Sequence, residues 1–271
     1  MNASQTCYRH LDRETNVSCS NCGRPICPDC MTPTTVGMRC PECARQTTRV
    51  HRVRANEMAA PIATQVIIAI NVVVYLAELA TGGGGISNAS GTVVDHGILY
   101  APFVSQLHEY WRIVTSGFLH ESIVHVGLNM VFLWFIGRSL EPAIGSARFV
   151  GAYGVSLVFG SLGVLLLEPH AAALGASGAI FGLLGTLIVE ARRRGINLRS
   201  TGLIQIAVLN FVFTFAAPGI AIGAHVFGFA GGILVGVVFD QFDRRRLPRS
   251  ASLAACAVLA VAAFLAAIAV A

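Results

Sequence analysis

Residues 222–240, IGAHVFGFAGGILVGVVFD, place a single histidine, His225, in an apolar and glycine-rich stretch. About 20 apolar residues are enough for a helix to cross the hydrocarbon core of a bilayer. Gly228 and Gly232 follow His225 at helical spacing, which allows another helix to pack closely against this face. A histidine on such a face needs a polar partner, because burying it alone costs free energy. The stretch predicts a membrane helix whose histidine meets another helix or, alternatively, a backbone carbonyl.

The composition extends this interpretation to the whole chain. Of its 271 residues, 54% are hydrophobic and 12% are charged, whereas a soluble domain averages about 25% charged residues. Comparable apolar stretches lie near residues 62–80, 122–140, 147–167, 177–194, 202–217 and 250–270. We therefore expect an all-α polytopic membrane protein with seven transmembrane helices.

Arginine marks alternate loops between these stretches, and the chain contains no lysine. Loops rich in arginine stay on the cytoplasmic side of a membrane. The arginines concerned are Arg138 and Arg148, Arg192–Arg194 and Arg244–Arg246. Their placement predicts a cytoplasmic N-terminus and an external C-terminus. It also explains the net charge of +5 without nucleic-acid binding. Arginine without lysine is typical of a GC-rich bacterial source, so we expect a bacterial plasma membrane.

The chain divides into four predicted parts. Residues 1–47 are polar and rich in cysteine, and residues 48–60 form an arginine-rich linker. Residues 61–241 would form a six-helix core, and residues 242–271 an additional helix. The polar N-terminus predicts no cleavable signal peptide.

Seven of the eight cysteines lie before residue 44. With one histidine they form pairs separated by two residues: Cys7 and His10, Cys19 and Cys22, Cys27 and Cys30, Cys40 and Cys43. These ligands suffice for two tetrahedral zinc sites and leave no position open for a catalytic water. A segment with so few apolar side chains would depend on the metal for folding. Redox-active or unpaired cysteines remain the alternative.

The spacing over residues 7–43 resembles a B-box-type zinc finger. That resemblance implies two interleaved zinc sites, one with Cys7, His10, Cys27 and Cys30, the other with Cys19, Cys22, Cys40 and Cys43. We expect this segment to bind a cytoplasmic protein and no nucleic acid. DNA binding through the neighbouring arginines is the alternative.

Two further polar clusters interrupt the apolar stretches. Gly175-Ala176-Ser177-Gly178 opens the fourth stretch; a serine N-cap beside packing glycines would explain it without function. His125 and Asn129 are four residues apart and so share one helix face. Interhelical hydrogen bonding is the alternative there. The neighbouring His120-Glu121 does not complete a zinc-protease motif, because His125 comes one position too late.

Together the clusters point to nucleophilic chemistry. A serine becomes a nucleophile when a base accepts its proton, and histidine suits that role. The resulting oxyanion needs hydrogen-bond donors, which the Ser177 amide, His125 and Asn129 can provide. The predicted topology brings Ser177, His125 and His225 to the external half of their helices.

These residues resemble the rhomboid intramembrane serine proteases over roughly residues 60–240. The matching features are Trp111-Arg112, His120 with His125-x-x-x-Asn129, Gly175-x-Ser177-Gly178, Glu141, and Ala224-His225 with the glycine row from Gly228. The resemblance implies a six-plus-one helix arrangement and cleavage of transmembrane protein substrates near the external side of the bilayer. It implies no cofactor for catalysis.

Residue by residue, the resemblance implies Ser177 as nucleophile and His225 as general base. His125, Asn129 and Gly175 would form or support the oxyanion hole. The remaining positions would be structural: Trp111 and Arg112 in the first loop, His120 beside it, Glu141 at the cytoplasmic side, Phe181 against His225, and Gly228 between helices. The short fifth stretch and the loop 217–221 would form a movable gate for substrate.

Two other functions remain open. The first is a non-catalytic rhomboid-like protein that binds and regulates membrane clients, although it would need neither Ser177 nor His225. The second is a transporter, which is expected to show inverted repeats or paired broken helices.

Overall fold

The structure is a computed structural model that describes residues 5–34, 37–45, 60–82, 85–88, 90–216 and 219–271. The chain forms two compact units, Met1–Arg54 and Ala55–Ala271. Most of the predicted linker 48–60 lies outside the described residues, as do residues 217 and 218 of the predicted gate.

The N-terminal unit is built from short elements around thiols. Strands β1 (Gln5–Thr6) and β2 (Glu14–Thr15) pair antiparallel, as do β3 (Thr32–Thr34) and β4 (Gly37–Arg39). A 3-10 turn (Pro28–Cys30) and helix α1 (Pro41–Arg45) complete it. Its buried core contains Ile26 and the cysteines Cys7, Cys19, Cys27, Cys30, Cys40 and Cys43. One aliphatic side chain cannot hold such a unit together, so its cohesion depends on the thiol clusters.

The second unit is helical. Within the described residues its long helices are α2 (Ile62–Thr81), α6 (Ile123–Ile144), α7 (Ser146–Leu167), α8 (Ser177–Arg193), α9 (Leu203–Ala216), α10 (Ile222–Arg244) and α11 (Arg249–Val270). Each coincides with one predicted stretch. Five of them, α2, α6, α7, α10 and α11, are long and apolar enough to cross a membrane. The prediction of an all-α polytopic membrane protein is confirmed.

Helices α8 and α9 are shorter than the predicted spans. Helix α9 has 14 residues, which at about 1.5 Å per residue is roughly 21 Å and less than the bilayer core of about 30 Å. Helix α8 has 17 residues, buried along most of its length among the other helices.

Helices α8 and α10 meet backbone to backbone. A methyl group on Gly232 would lie 1.8 Å from the Gly182 carbonyl oxygen, and one on Gly228 would lie 2.1 Å from that of Gly178. Only glycine permits this separation, as in other small-residue helix contacts. The Thr186 hydroxyl donates to the Gly232 carbonyl at 2.8 Å and ties the pair further. This contact fixes the start of α8 beside the first turn of α10.

Glu141 joins the ends of three helices. Its carboxylate accepts the backbone N–H groups of Ala63 and Thr64 at 2.8 Å each. It also accepts the hydroxyls of Thr64 at 2.7 Å and Ser146 at 2.6 Å. A helix leaves its first N–H groups without partners, so a carboxylate from α6 here caps α2. Glu141 lies inside the last turn of α6, not after it, because the helix runs past Pro142 to Ile144.

Helix α11 is attached through a buried arginine. The Arg148 guanidinium on α7 donates to both carboxylate oxygens of Asp243 on α10, at 3.1 and 2.8 Å. Its Nε donates to the hydroxyl of Ser252 on α11 at 2.9 Å. One side chain therefore holds three helices together.

Candidate active site

A cavity of about 620 Å³ opens among α6, α7, α8, α9 and α10. Its lining combines apolar side chains with a few polar ones, which is typical of ligand sites. The polar lining includes Ser177, His225, His125, Asn129 and Thr214. Four of these are residues that the sequence singled out, brought together from three helices.

Ser177 and His225 form a direct hydrogen-bonded pair. The Ser177 Oγ lies 2.8 Å from the Nε2 of His225. Ser177 is the first residue of α8, and His225 lies in the first turn of α10. The close contact between those helices places the two side chains at one level despite 48 residues of separation.

The His225 ring is fixed by one contact on its face and one at its edge. Phe181 stacks on it with ring centroids 4.1 Å apart and planes 12° apart. Its Nδ1 lies 2.7 Å from the hydroxyl oxygen of Thr214 on α9. The imidazole is therefore fixed by stacking and by a hydrogen bond at the nitrogen that faces away from Ser177.

Gly175 permits the turn that leads into Ser177. Its φ of +129° lies in the region that disfavours side chains, and a methyl group there would be 2.9 Å from the His125 ring. Gly175 N–H donates to the Ser116 carbonyl at 2.9 Å, and Ala173 and Leu99 exchange two backbone hydrogen bonds. The segment before the serine is thus pinned to the long first loop, and the His125 imidazole lies against it.

The Asn129 side chain and the Ser177 backbone N–H supply hydrogen-bond donors at the site. The Asn129 Nδ2 is buried and has no hydrogen-bond partner among the described residues, and Asn129 lines the cavity. The Ser177 N–H opens α8, so it has no acceptor within that helix. The Ser122 hydroxyl caps α6 by accepting the His125 N–H at 3.3 Å. His125 therefore lies in the first turn of this helix, and Asn129 follows it one turn later. Unpaired donors beside a serine can receive a negatively charged oxygen.

The first loop is organised around Arg112. It contains α3 (Thr92–Gly97), α4 (Ala101–Ser105) and α5 (Arg112–Thr115). The buried Arg112 guanidinium donates to the carbonyls of Asp95 and Ile98 at 2.8 and 2.9 Å and to Glu109 at 2.6 Å. The half-exposed Trp111 donates its indole N–H to the His96 carbonyl at 2.9 Å.

His120 lies behind His125. Its ring meets that of His125 edge to face at 5.1 Å, and within the described part of the chain neither of its buried ring nitrogens has a hydrogen-bond partner. Its backbone N–H donates to the carboxylate of the fully buried Glu78 on α2, at 3.2 Å. His120 thus sits at the junction of α2, the first loop and α6.

Three residues at or near the site were missed in the sequence. Thr214 contacts the His225 imidazole, Glu78 accepts from His120, and Glu168 accepts the Ile222 and Gly223 N–H groups at the start of α10, at 3.1 and 3.0 Å. The two carboxylates could have been noticed, because acids beside apolar stretches are rare and usually functional or paired. Thr214 carried no such signal, since threonine occurs commonly in membrane helices.

The N-terminal unit contains two groups of metal-ligating side chains. Cys7, His10, Cys27 and Cys30 form one group, and Cys19, Cys22, Cys40 and Cys43 form the other. Within each group the ligand atoms lie within 4.8 Å of one another. These are the same interleaved sets that the B-box resemblance implied.

The separations suit a tetrahedral zinc ion. Zn–S and Zn–N bonds of about 2.3 and 2.0 Å require S···S and N···S separations of roughly 3.8 and 3.5 Å. The Cys22 and Cys40 sulfurs are 3.9 Å apart, and the His10 Nδ1 lies 3.3 Å from the Cys27 sulfur. The N-terminal Cys/His clusters therefore fit a zinc-binding domain.

Nearby donors stabilise thiolates in the second group. The Cys40 N–H donates to the Cys19 sulfur at 3.3 Å and lowers the pKa of that thiol to about 6. The Arg24 guanidinium donates to the Cys22 sulfur at 3.3 Å and also lowers its pKa. Burial instead raises the pKa of Cys40 to about 12. A divalent cation would favour ionisation of the whole set.

The helical unit defines a class: a polytopic membrane protein with a serine–histidine pair in a cavity between its helices. Comparison with known proteins identifies that class. A model of the rhomboid domain matches residues 107–242, half of the chain. The chain belongs to the rhomboid family.

Its relatives include proteins named as proteases. The rhomboid protease GluP of Bacillus subtilis (strain 168) is 33% identical over 175 residues, which cover 64% of this chain and 34% of GluP. Rhomboid-like protease 3 of Toxoplasma gondii is 34% identical over 155 residues, 56% of this chain and 58% of that protein. The putative rhomboid protease YdcA of Bacillus subtilis (strain 168) is 32% identical over 142 residues, 51% of this chain and 71% of YdcA. The match to GluP and to the Toxoplasma protein thus spans between a third and three fifths of their lengths.

Proposed function

We propose that the chain is an intramembrane serine endopeptidase that cleaves transmembrane segments of other membrane proteins near the external side of the bilayer. The observation that carries this proposal is the 2.8 Å contact between Ser177 Oγ and His225 Nε2. The cavity around them also contains Asn129 Nδ2, a buried donor with no partner among the residues that the structure describes. Membership of a family with relatives named as proteases supports the reaction class.

The reaction would begin when Ser177 attacks the scissile carbonyl. His225 Nε2 accepts the hydroxyl proton as the Oγ–C bond forms. The carbonyl oxygen becomes an oxyanion, and the Ser177 N–H, Asn129 Nδ2 and the His125 ring donate to it. The imidazolium then gives its proton to the leaving amine, which departs with the C-terminal part of the substrate.

Water completes the cycle. It enters the cavity, His225 removes a proton from it, and the hydroxide attacks the acyl group on Ser177. Collapse of the second intermediate returns the proton to Ser177 and releases the N-terminal product as a carboxylic acid. Because α9 is short and flanks the cavity, it is a suitable movable boundary for entry of a substrate helix.

Cleavage of a transmembrane substrate in liposomes tests this function. Wild-type protein should convert the substrate to two fragments, whereas Ser177→Ala and His225→Ala should leave it intact. The matched controls are Ser139→Ala and His170→Ala, whose side chains are exposed and do not line the cavity. Wild-type protein without activity on any transmembrane substrate would favour a non-catalytic client-binding protein. Equal cleavage by Ser177→Ala would exclude this serine as the nucleophile.

For the N-terminal unit we propose two structural zinc ions and a cytoplasmic location. Zinc held by the two ligand groups would supply folding energy and take no part in hydrolysis. We propose that this unit binds a protein partner in the cytoplasm. If it instead bound DNA with an affinity that falls as salt rises, this proposal would be contradicted.

The proposed orientation places the N-terminus in the cytoplasm and the C-terminus outside a bacterial plasma membrane. Reporter fusions at both ends test it. A C-terminal phosphatase fusion should be active and a C-terminal fluorescent-protein fusion dark, and the reverse pattern would refute the orientation.

A further inference from the structure

The Thr214 hydroxyl makes two hydrogen bonds that together order the imidazole. Its Oγ1 lies 2.8 Å from the Asn210 carbonyl oxygen, one turn earlier on α9, and 2.7 Å from the His225 Nδ1. The residue is 2% exposed. No role for this threonine follows from the motifs of the sequence, and its hydroxyl joins the site to α9.

The number of available protons determines which group donates in each of these two hydrogen bonds. A carbonyl only accepts, so the bond to Asn210 takes the one hydroxyl proton of Thr214. Thr214 Oγ1 must then accept a proton from His225 Nδ1. His225 Nε2 is left with a lone pair, which accepts the Ser177 hydroxyl proton at 2.8 Å.

The reverse arrangement fails for Ser177. If Nε2 carried the proton and donated it to the serine oxygen, the serine proton would need another acceptor. Within the described part of the chain, the hydrogen-bond partner of Ser177 Oγ is His225. Only the first arrangement gives every proton of the three side chains an acceptor among the described protein groups, as buried polar groups such as Thr214 and His225 require.

We propose that Thr214 is a positioning residue that holds His225 in the tautomer protonated at Nδ1, so that Nε2 is free to accept the serine proton. This inference rests on the proposed function. In acid-assisted triads a carboxylate accepts from this nitrogen and orients the ring. Here a neutral hydroxyl occupies that place.

The position of Thr214 links the base to α9. Among the described residues, the Thr214–His225 contact is the side-chain hydrogen bond that joins α9 to another long helix. Phe211, one turn earlier on α9, packs edge to face on Phe181, with centroids 5.2 Å apart. Phe181 in turn stacks on His225. The orientation of the base therefore depends on α9 remaining against α8 and α10.

When the serine proton reaches Nε2, the ring becomes an imidazolium. The Nδ1–H then donates to Thr214 with a full positive charge on the ring, which strengthens that bond. Thr214 therefore stabilises the protonated base more than the neutral one. Its removal should lower kcat and leave KM nearly unchanged.

The test compares Thr214→Val, which keeps the shape without the hydroxyl, with Thr214→Ser, which keeps the hydroxyl. Thr214→Ala is a second deletion variant in case the valine disturbs folding, and Val212→Ala is the matched control on the lipid-exposed face of α9. Full-length proteins in detergent are labelled with ¹⁵N-histidine, and His225→Ala assigns the His225 signals. Nitrogen chemical shifts report the tautomer directly, and cleavage of the transmembrane substrate reports kcat and KM.

In wild type, Thr214→Ser and Val212→Ala, the proton should reside on Nδ1. In Thr214→Val and Thr214→Ala that population should fall, and kcat should decrease by about 10- to 100-fold with KM within about twofold. An unchanged tautomer and kcat in both deletion variants would overturn the inference. If Ser177→Ala still cleaved substrate, the proposed function would fail instead. The nitrogen shifts would then decide the tautomer without reference to activity.

Discussion

Replacing Gly228 by alanine should separate the two residues of the proposed active site. The added methyl carbon would lie 2.1 Å from the Gly178 carbonyl oxygen, where ordinary contact begins at 3.4 Å. The carbonyl oxygen belongs to the backbone of α8, and the position of the methyl carbon is fixed by the backbone of α10. A side-chain rotation therefore cannot relieve the clash. Helices α8 and α10 must move apart locally by about 1.3 Å. Gly178 follows Ser177 directly, so the displacement acts on the serine.

The catalytic effect follows from that distance. The Ser177–His225 contact is 2.8 Å, and lengthening it by about 1 Å removes the hydrogen bond. A misplacement of about 1 Å lowers rate roughly 100-fold, equivalent to about 2.7 kcal/mol in the activation free energy. Overpacking should also reduce the free energy of unfolding by about 1–3 kcal/mol.

The assay combines cleavage of a transmembrane substrate in liposomes with thermal unfolding in detergent. Gly154→Ala on α7 is the matched control, because its added methyl group would meet no described atom within 4 Å beyond its own stretch of helix. It should retain both activity and stability. Wild-type turnover by Gly228→Ala would refute the conclusion that this backbone contact sets the serine–histidine geometry. Equal losses in Gly154→Ala would show a general effect of alanine in these helices.

Three other predictions follow from single side chains. Asn129→Ala should lower kcat about 100-fold with little change in melting temperature, because an oxyanion donor is lost; unchanged turnover in the liposome assay would remove that role. Glu141→Ala should lower the free energy of unfolding of the helical unit by about 2–4 kcal/mol, because the N–H groups of α2 lose their acceptor. Thermal unfolding measures this, with Ser139→Ala as the matched control; equal melting temperatures of the two variants would contradict the capping role of Glu141. Full-length protein should contain about two zinc ions per chain by elemental analysis, and Cys22→Ser should retain about one; an unchanged metal content in that variant would contradict the assigned ligand set.

The parts of the fold that depend on local pattern could be predicted from the sequence. Apolar length predicts the seven long helices, and the four-residue spacing of His125 and Asn129 predicts their shared face. Helices α8 and α9 begin and end within one residue of the predicted stretches. The end of α6 could not be predicted, because a proline in the last turn did not end the helix, and Glu141 therefore falls inside it.

Contacts between distant segments were predictable only where chemistry restricts the partners. Two-residue spacing identifies the zinc ligands, but it allows sequential or interleaved pairing, and the resemblance to a B-box was needed to choose. A serine and a histidine in apolar helices each require a polar partner, so their meeting was foreseeable. Thr214 was not, because a threonine hydroxyl can be satisfied by the carbonyl one turn earlier in its own helix. Its bond to His225 depends on where α9 lies.

Covalent trapping of the nucleophile tests the serine–histidine pairing. Full-length protein is treated with a fluorophosphonate, and the modified residue is located by tandem mass spectrometry of its peptides. We expect a single adduct on Ser177, strongly reduced in His225→Ala and retained in His170→Ala. An adduct on another residue, or labelling of Ser177 that does not depend on His225, would contradict the pairing from which the proposed chemistry follows.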